Sequence, residues 1–227
     1  MKNTWRGILL IALAGLLVSF VAERSPLRAA PALPQPQDRD AHRDAWQRPE
    51  EVLDALGIVA GNAVADVGCG EGYFVLHLAH RVGATGAVYA EDVEDESLTA
   101  VRGKVEKEKL ANVHLVHGTA VDPQLPENTL DAVLVVNAYH EFLEYDAMMK
   151  ALLRSLKPGG RLGIIDPAGD ERRTRAEHQK HHTITEKLVM DDAARNGFHF
   201  RSRERGFQSP EDTQRKFFFL IFERPAS

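Results

Sequence analysis

The sequence predicts a single α/β domain with a doubly wound, mostly parallel sheet of seven strands and an antiparallel last strand. Three observations lead to this prediction. Short apolar segments alternate with segments of helical periodicity from residue 49 onward. A loop with three glycines follows the first apolar segment, and two β-rich segments end the chain with only a loop between them. Strands separated by helices pair in parallel, whereas strands joined by a loop alone pair antiparallel.

The predicted elements follow in a regular order. A first helix begins near Pro49, which suits a first helical turn, and Gly57 can cap its end. The predicted strands cover residues 64–67, 87–92, 113–117, 130–136, 161–166, 198–206 and 216–222. Further helices are predicted over residues 73–82, 96–108, 145–156 and 184–196. This order places ligands at the carboxyl ends of the strands.

Composition describes an ordinary globular protein. The chain has 227 residues, of which 44% are hydrophobic and 27% are charged, enough for one well-packed core. A net charge of −5 argues against a nucleic-acid partner. The single cysteine, Cys69, cannot form an intrachain disulfide, so cysteine usage does not indicate a compartment.

The N-terminus differs from the rest of the chain. Lys2 and Arg6 precede an apolar run over 7–22, and a small-x-small pattern follows at 30–32, as in a signal peptide or membrane anchor. The protein is therefore expected to be exported, either periplasmic or membrane-anchored, and to contact the membrane only through this segment. A misassigned start upstream of a cytoplasmic enzyme is the alternative.

These features divide the chain into three parts. Residues 1–30 are interpreted as the signal peptide or anchor. Residues 31–47 are rich in Pro, Gln, Asp and Arg and are interpreted as a flexible linker. Residues 48–227 form the predicted domain.

The glycine loop carries the most information about a ligand. Gly68, Gly70 and Gly72 alternate with other residues after an apolar strand, and glycine allows a ligand to approach the backbone closely. Tyr73 stands where a dinucleotide fingerprint requires its third glycine, and the Gly-Lys-Ser/Thr of a phosphate-binding loop is absent. The loop therefore predicts a nucleoside-like ligand that is not held by a pyrophosphate.

With its other motifs the chain resembles the class I S-adenosylmethionine-dependent methyltransferases over about residues 49–224. The loop at 66–72 is similar to the first motif of this family. Residues 88–92 match its second strand, which ends in an acid, and residues 130–133 match its fourth strand. The turn at 156–162, with Lys-Pro-Gly-Gly at its centre, matches the entry to its fifth strand. The resemblance implies S-adenosyl-L-methionine as cofactor.

The resemblance also implies roles for individual residues. The three glycines would pass beneath the methionine part, with Asp66 organising the loop or the amino group. Asp92 would accept both ribose hydroxyls, and the adjacent Glu91 should point to the opposite face, because side chains alternate along a strand. Relatives carry an acid after the third strand where this chain has Thr119, so Thr119 or Asp122 would contact adenine. The complete expected set is Asp66, Gly68, Gly70, Gly72, Tyr73, Asp92, Thr119, Asp122 and Asn137.

The segment after the fourth strand lies where acceptors meet the methyl group in this family. It offers Tyr139 as an aromatic wall, His140 as a base and Glu141 as an acid. The alternative for His140 is a structural hydrogen bond to Glu141 or to a backbone carbonyl. The segment lacks the Asn/Asp-Pro-Pro-aromatic motif, which argues against methylation of nucleobases or glutamine.

No metal site is predicted. His178, His181 and His182 could share a helical face, but no Cys, Asp or Glu accompanies them at a convincing spacing. A helix cap or a lid over the site is the preferred interpretation of these histidines.

The sequence as a whole predicts a methyltransferase that acts on an unidentified small-molecule acceptor. One alternative is a nicotinamide-dependent oxidoreductase, which Tyr73 and the absence of a Tyr-x-x-x-Lys pair disfavour. The other is a non-catalytic binding or scaffold protein with the same fold. The predicted export signal supports this second alternative, because an exported domain has no evident supply of S-adenosylmethionine.

Overall fold

A computed structural model of the chain describes residues 43–206 and 215–226. The predicted signal or anchor at 1–30 lies outside the described residues, as does the predicted linker up to residue 42. Residues 43–47, which the sequence assigned to the linker, are helical. In the part of the chain that the structure describes, every helix is too short or too polar to cross a membrane.

Seven strands and six helices follow the helical residues 43–47 in the part of the chain that the structure describes. The strands are β1 (Ala63–Val67), β2 (Ala87–Asp92), β3 (Val113–His117), β4 (Leu130–Val136), β5 (Leu156–Pro167), β6 (His199–Glu204) and β7 (Phe217–Glu223). The helices are α1 (Pro49–Ala55), α2 (Tyr73–Val82), α3 (Asp95–Glu108), α4 (Tyr145–Ser155), α5 (Arg175–Lys180) and α6 (Glu186–Arg195). A 3₁₀ turn covers Tyr139–Glu141.

The strands form one sheet in the order β3-β2-β1-β4-β5-β7-β6. Neighbouring strands are parallel except where β7 runs antiparallel to both β5 and β6. The predicted fold, a mostly parallel seven-stranded sheet with an antiparallel last strand, is therefore confirmed. The strand order reverses between β1 and β4, which opens a crevice at the carboxyl ends of these strands.

Most element bounds agree with the sequence prediction to within two residues, and two differences have a physical cause. Strand β5 begins at Leu156 rather than 161, because the segment after α4 is already extended and Leu156 pairs with Leu130. Helix α5 lies in a segment predicted as a polar stretch. The sequence feature that indicates the start of this helix is the capping box of Thr174 and Glu177, in which each side chain accepts a hydrogen bond from the other residue's backbone amide.

The sheet separates two apolar clusters. On one face, Val64, Val88, Leu134 and Ile221 pack with residues of α1, α2 and α3, including Leu53, Leu78 and Val101. On the other face, Val67, Val135, Leu162 and Leu220 pack with residues of α4 and α6, including Leu152 and Val189. Both faces of the central strands are buried, as the continuous apolar run of β4 predicted.

Replacing Leu162 with alanine tests this packing. Leu162 is fully buried between β4 and β7, so Leu162→Ala should lower the free energy of unfolding by about 2–5 kcal/mol through lost contacts and a residual cavity. Leu143→Ala is the matched control, because that side chain is 67% exposed, and it should change stability by less than about 0.5 kcal/mol. Urea unfolding of both variants measures the difference, and equal losses would contradict the assigned core.

Candidate active site

A cavity of about 620 Å³ opens at the carboxyl ends of β1, β2 and β4. Its volume lies within the ordinary range of small-molecule sites. The glycine loop after β1 forms its floor, and the last residues of β2 form one side. The turn after β4 forms the opposite side. The cavity therefore lies at the carboxyl ends of the strands, where the sequence predicted a ligand, and at the reversal of strand order.

Two glycines shape the floor of the cavity. Gly68 has a φ of +69°, and a Cβ there would lie 2.6 Å from the Cβ of Ala138, so this position admits no side chain. Gly70 has a φ of +52°, and a Cβ there would meet no atom within 4 Å. Gly70 therefore leaves open space above its backbone, and a ligand can contact the main chain directly.

Two carboxylates at the end of β2 hold this loop. Asp92 accepts hydrogen bonds from Gly70 N at 2.9 Å and from Glu94 N at 3.0 Å. Glu91 Oε2 accepts from Gly68 N at 3.3 Å. The prediction that Glu91 points to the opposite face is therefore wrong, because its longer side chain reaches the same cavity. Gly118 makes this possible, since a Cβ there would lie 1.7 Å from Glu91 Oε1.

The acids beneath the cavity share a buried, negative environment. Burial raises the pKa of Asp66 to about 7, with the charge of Arg43 opposing the rise and that of Asp92 adding to it. Burial also raises the pKa of Glu91 to about 8, against the hydrogen bond from Gly68 and with repulsion from Asp92. Glu91 Oε1 is buried and lacks a hydrogen-bond partner among the described residues. A ligand that donates a hydrogen bond or carries positive charge would satisfy this site.

The helical residues 43–47 contribute to the cavity, which the sequence did not predict. Arg43 lines it and stacks on the Tyr73 ring at 3.8 Å. Tyr73, which also lines the cavity, donates a hydrogen bond from its hydroxyl to Asp44 Oδ1 at 2.6 Å. The Trp46 ring packs against Phe217 at 5.2 Å. Trp46 is the sequence feature that could have indicated that these residues are part of the domain, because a large aromatic residue is unusual in a flexible linker.

Most of the predicted cofactor residues line the cavity. Those that do are Asp66, Gly68, Gly70, Tyr73, Asp92, Thr119 and Asn137. Gly72 instead caps α2, where a Cβ would meet Val101 at 2.9 Å. Asp122 also lies outside the lining, and its carboxylate contacts Arg154 at 3.2 Å. The backbone of Asp122 bonds Thr119, but of these two residues only Thr119 lines the cavity, so Thr119 remains the predicted adenine contact.

The turn after β4 gives the cavity an apolar wall. Val136, Phe142, Leu143 and Met148 line this side, and Glu141 is the carboxylate among them. Of the three residues predicted for catalysis, only Glu141 reaches the cavity lining. The acceptor end is thus apolar, with one acid at its edge.

Tyr139 lies behind this wall instead of forming it. Its side chain is fully buried, and its hydroxyl donates to Asp192 Oδ2 at 2.7 Å. Arg175 and Arg195 also contact the Asp192 carboxylate. Burial raises the pKa of Tyr139, with the charge of Asp192 adding to the rise, so the hydroxyl stays protonated. Tyr139 fixes the turn to α5 and α6.

His140 is also buried behind the wall. Its backbone N donates to Asp166 Oδ2 at 3.0 Å, and its Nδ1 lies 2.7 Å from Asp166 Oδ1. The structural bond predicted for His140 is therefore made to Asp166 at the end of β5. Burial raises the pKa of Asp166, and the bonds from His140 oppose the rise.

The remaining ring nitrogen of His140 faces two polar residues. His140 Nε2 is 3.5 Å from Glu141 Oε1, and His182 Nδ1 is 3.6 Å from the same oxygen. Neither distance is a hydrogen bond, and Nε2 is buried without a partner among the described residues. An unpaired buried polar atom costs about 1–3 kcal/mol, so this nitrogen requires an explanation.

The raised pKa values of Asp66 and Glu91 predict that stability depends on pH. The pKa of Glu91 rises from 4.5 to about 8 on folding, so the folded state binds this proton more tightly than the unfolded state does. The resulting stabilisation is complete below the unfolded value and is lost as pH rises toward the folded value. The free energy of unfolding of the ligand-free protein should therefore fall between about pH 5 and 8, by an amount on the order of 2–4 kcal/mol.

Urea unfolding across this pH range tests the assignment. Glu91→Gln should remove about half of the decline and leave a comparable part due to Asp66, whose pKa rises from 3.8 to about 7. Glu71→Gln is the control, because Glu71 is an exposed carboxylate on the same loop. If the free energy of unfolding of Glu91→Gln fell with pH as much as that of the wild type, Glu91 would not be the cause of the fall.

Comparison with known proteins finds methyltransferases. A methyltransferase domain family matches residues 64–160. Demethylmenaquinone methyltransferase of Geobacillus sp. (strain WCH70) is 33% identical over 117 residues, which are 52% of this chain and 50% of that protein. The enzyme of the same name from Listeria welshimeri is 31% identical over 121 residues. The chain thus spans about half the length of the curated relatives it matches.

Solved structures of methyltransferases are also similar to this chain. A SAM-dependent methyltransferase from Aquifex aeolicus shares 27% identity and a TM-score of 0.68, over 80% of this chain and 92% of that one. The phosphoethanolamine N-methyltransferase 2 of Haemonchus contortus, solved with S-adenosyl-L-methionine, shares the fold with a TM-score of 0.64 at 17% identity, over 79% of this chain and 53% of that one. The fold, the glycine loop and these similarities agree: the chain has the fold of the S-adenosylmethionine-dependent methyltransferases, and its residues 64–160 match a methyltransferase domain family.

Proposed function

We propose that the protein binds S-adenosyl-L-methionine in the cavity and transfers the methyl group to a small acceptor with an apolar ring. The observation that carries this proposal is the division of one cavity into an acidic half at Asp66, Glu91 and Asp92 and an apolar half at Phe142, Leu143 and Met148. A cationic, hydroxyl-bearing cofactor suits the first half. An apolar acceptor suits the second.

The residues of the acidic half fit this cofactor. Glu91 Oε1 is buried without a partner among the described residues, so a hydroxyl or ammonium donor would satisfy it. Gly70 leaves open space above the loop, so a ligand can contact its backbone. Each oxygen of Asp92 accepts one backbone hydrogen bond and retains a second lone pair for a ribose hydroxyl. Three clustered acids, which a bound cation would stabilise in their charged forms, favour a cation over a pyrophosphate.

When bound, the cofactor supplies an electrophilic methyl group on a sulfonium. The chain itself contributes alignment, because the glycine loop and the β4 turn face each other across the cavity. Phe142, Leu143 and Met148 give the acceptor end an apolar lining. Among the described residues Glu141 is the one carboxylate on that side, and we assign it to contact with a polar group of the acceptor.

The acceptor class is supported by the relatives and by the wall. The curated relatives are named for demethylmenaquinone, a ring-bearing small molecule. Here the wall combines an aromatic ring with aliphatic and thioether side chains, which suits a flat apolar ring. The family match ends at residue 160, so α5, α6 and their loops lie outside it. An oxidoreductase or a non-catalytic scaffold has less support than a methyltransferase.

Cofactor affinity tests the acidic half. Asp92→Asn should weaken binding of S-adenosyl-L-methionine about 10- to 100-fold, because hydrogen bonds to a charged acceptor contribute about 1.5–3 kcal/mol. Asp95→Asn is the matched control, since the Asp95 side chain is 89% exposed and contacts His117. Calorimetric titration measures both variants. Equal affinities in the two would contradict the assignment of Asp92.

Methyl transfer tests the acceptor class. With tritiated S-adenosyl-L-methionine, label should enter a reduced naphthoquinone that lacks its ring methyl group, and it should not enter phosphoethanolamine. Label in phosphoethanolamine alone would contradict the proposal of an apolar-ring acceptor but would support methyl transfer itself. Tight cofactor binding without label in either compound or in fractionated native extract would favour the scaffold alternative.

A further inference from the structure

Three polar side chains from two distant segments meet beside the acceptor end of the cavity. His140, Glu141 and His182 each offer one atom, and these atoms lie within 4.8 Å of one another. We refer to them as the His-Glu-His cluster. The spacing of His178, His181 and His182 predicted no metal site. The fold instead combines one of these histidines with the turn after β4.

The distances in the cluster suit a tetrahedral ion. Ligand atoms about 2.0–2.1 Å from a zinc ion are separated from each other by about 3.4 Å. Glu141 Oε1 lies 3.5 Å from His140 Nε2 and 3.6 Å from His182 Nδ1. The two imidazole rings stand edge to face with centroids 5.6 Å apart. Because the His182 side chain is 65% exposed, it can approach the other two ligands without repacking the core.

Asp166 prepares His140 to act as a ligand. Its carboxylate is fully buried, and it engages both the backbone N and Nδ1 of His140. Metal-binding histidines usually donate their second ring nitrogen to a carboxylate in this way. A proton on Nδ1 leaves the lone pair of Nε2 directed at the cluster. Nε2 is buried and has no hydrogen-bond partner among the described residues.

The backbone of His182 is held in place, and two carboxylates lie beside His140. The backbone of His182 is held by a bond from its N to Gln179 O at 3.2 Å and by one from Arg215 to its carbonyl oxygen at 3.1 Å. Its φ of +50° is left-handed, and the loop on which it lies leads into α6. Glu141 and Asp166 supply negative charge on either side of His140.

We propose that the His-Glu-His cluster binds a divalent transition-metal ion of the zinc type and that Asp166 orients His140 toward it. Two imidazole nitrogens and one carboxylate oxygen form a ligand set that zinc accepts, and they leave a fourth position for water or an acceptor oxygen. Glu141 also lines the cavity, so the ion would lie in the wall of the acceptor end. The proposal goes beyond methyl transfer and does not depend on it.

Metal titration of the full chain tests the proposal. After chelator treatment, calorimetry with Zn²⁺ should show one equivalent bound per chain, and Co²⁺ should give the visible absorption of a tetrahedral site. His182→Ala should weaken Zn²⁺ binding at least about tenfold and abolish the Co²⁺ band. His181→Ala is the matched control, because His181 is the neighbouring exposed histidine and lies outside the cluster. It should leave both readouts at the wild-type level.

A second variant tests the role of Asp166. Asp166→Asn should weaken Zn²⁺ binding about 10- to 100-fold and retain the Co²⁺ band, since the three ligands remain. Thermal unfolding of each variant checks that the fold is intact. Zn²⁺ affinity that is unchanged in His182→Ala, or reduced equally in His181→Ala, would overturn the proposal. Wild-type protein that binds no equivalent of either metal would do the same.

Discussion

The hydrogen bonds between the end of β2 and the glycine loop after β1 are the interaction on which the cavity depends. Asp92 and Glu91 accept the amides of Gly70 and Gly68, so the loop stays open with its backbone toward the ligand. The same bonds place two carboxylates beside a third, Asp66, in a buried site. The cost of this arrangement is visible in the raised pKa values of Asp66 and Glu91. A cationic ligand relieves the repulsion that the scaffold creates.

Buried acids also hold the opposite side of the cavity in place. Asp192 holds Tyr139, and Asp166 holds His140, so the turn after β4 is anchored from behind. Because these two polar residues turn inward, the apolar residues that follow, such as Phe142, face the cavity. The rigid turn therefore determines both the apolar acceptor wall and the position of the His-Glu-His cluster at its edge.

The family match covers most, but not all, of the residues around the site. The family match covers residues 64–160, which include the glycine loop, β2 and the turn after β4. The segments that carry His182 and Asp192 lie beyond it. Arg43, from the residues before α1, adds a positive charge above Asp66. The match thus covers the cofactor half and the apolar wall, whereas Arg43, His182 and Asp192 lie outside it.

Local pattern determined the fold class, the order of the elements and the glycine loop, because periodicity and glycine spacing are properties of short segments. It also located Asp92 at the end of its strand. Only the tertiary structure decided which side chains share a space. Glu91 reaches the cavity because the distant Gly118 leaves room for it, and Asp122 is drawn away by Arg154. His140 meets Asp166 and His182 because β4, β5 and the loop before α6 converge at one edge of the sheet. These segments are far apart in the sequence, so no local sequence pattern predicts their contact.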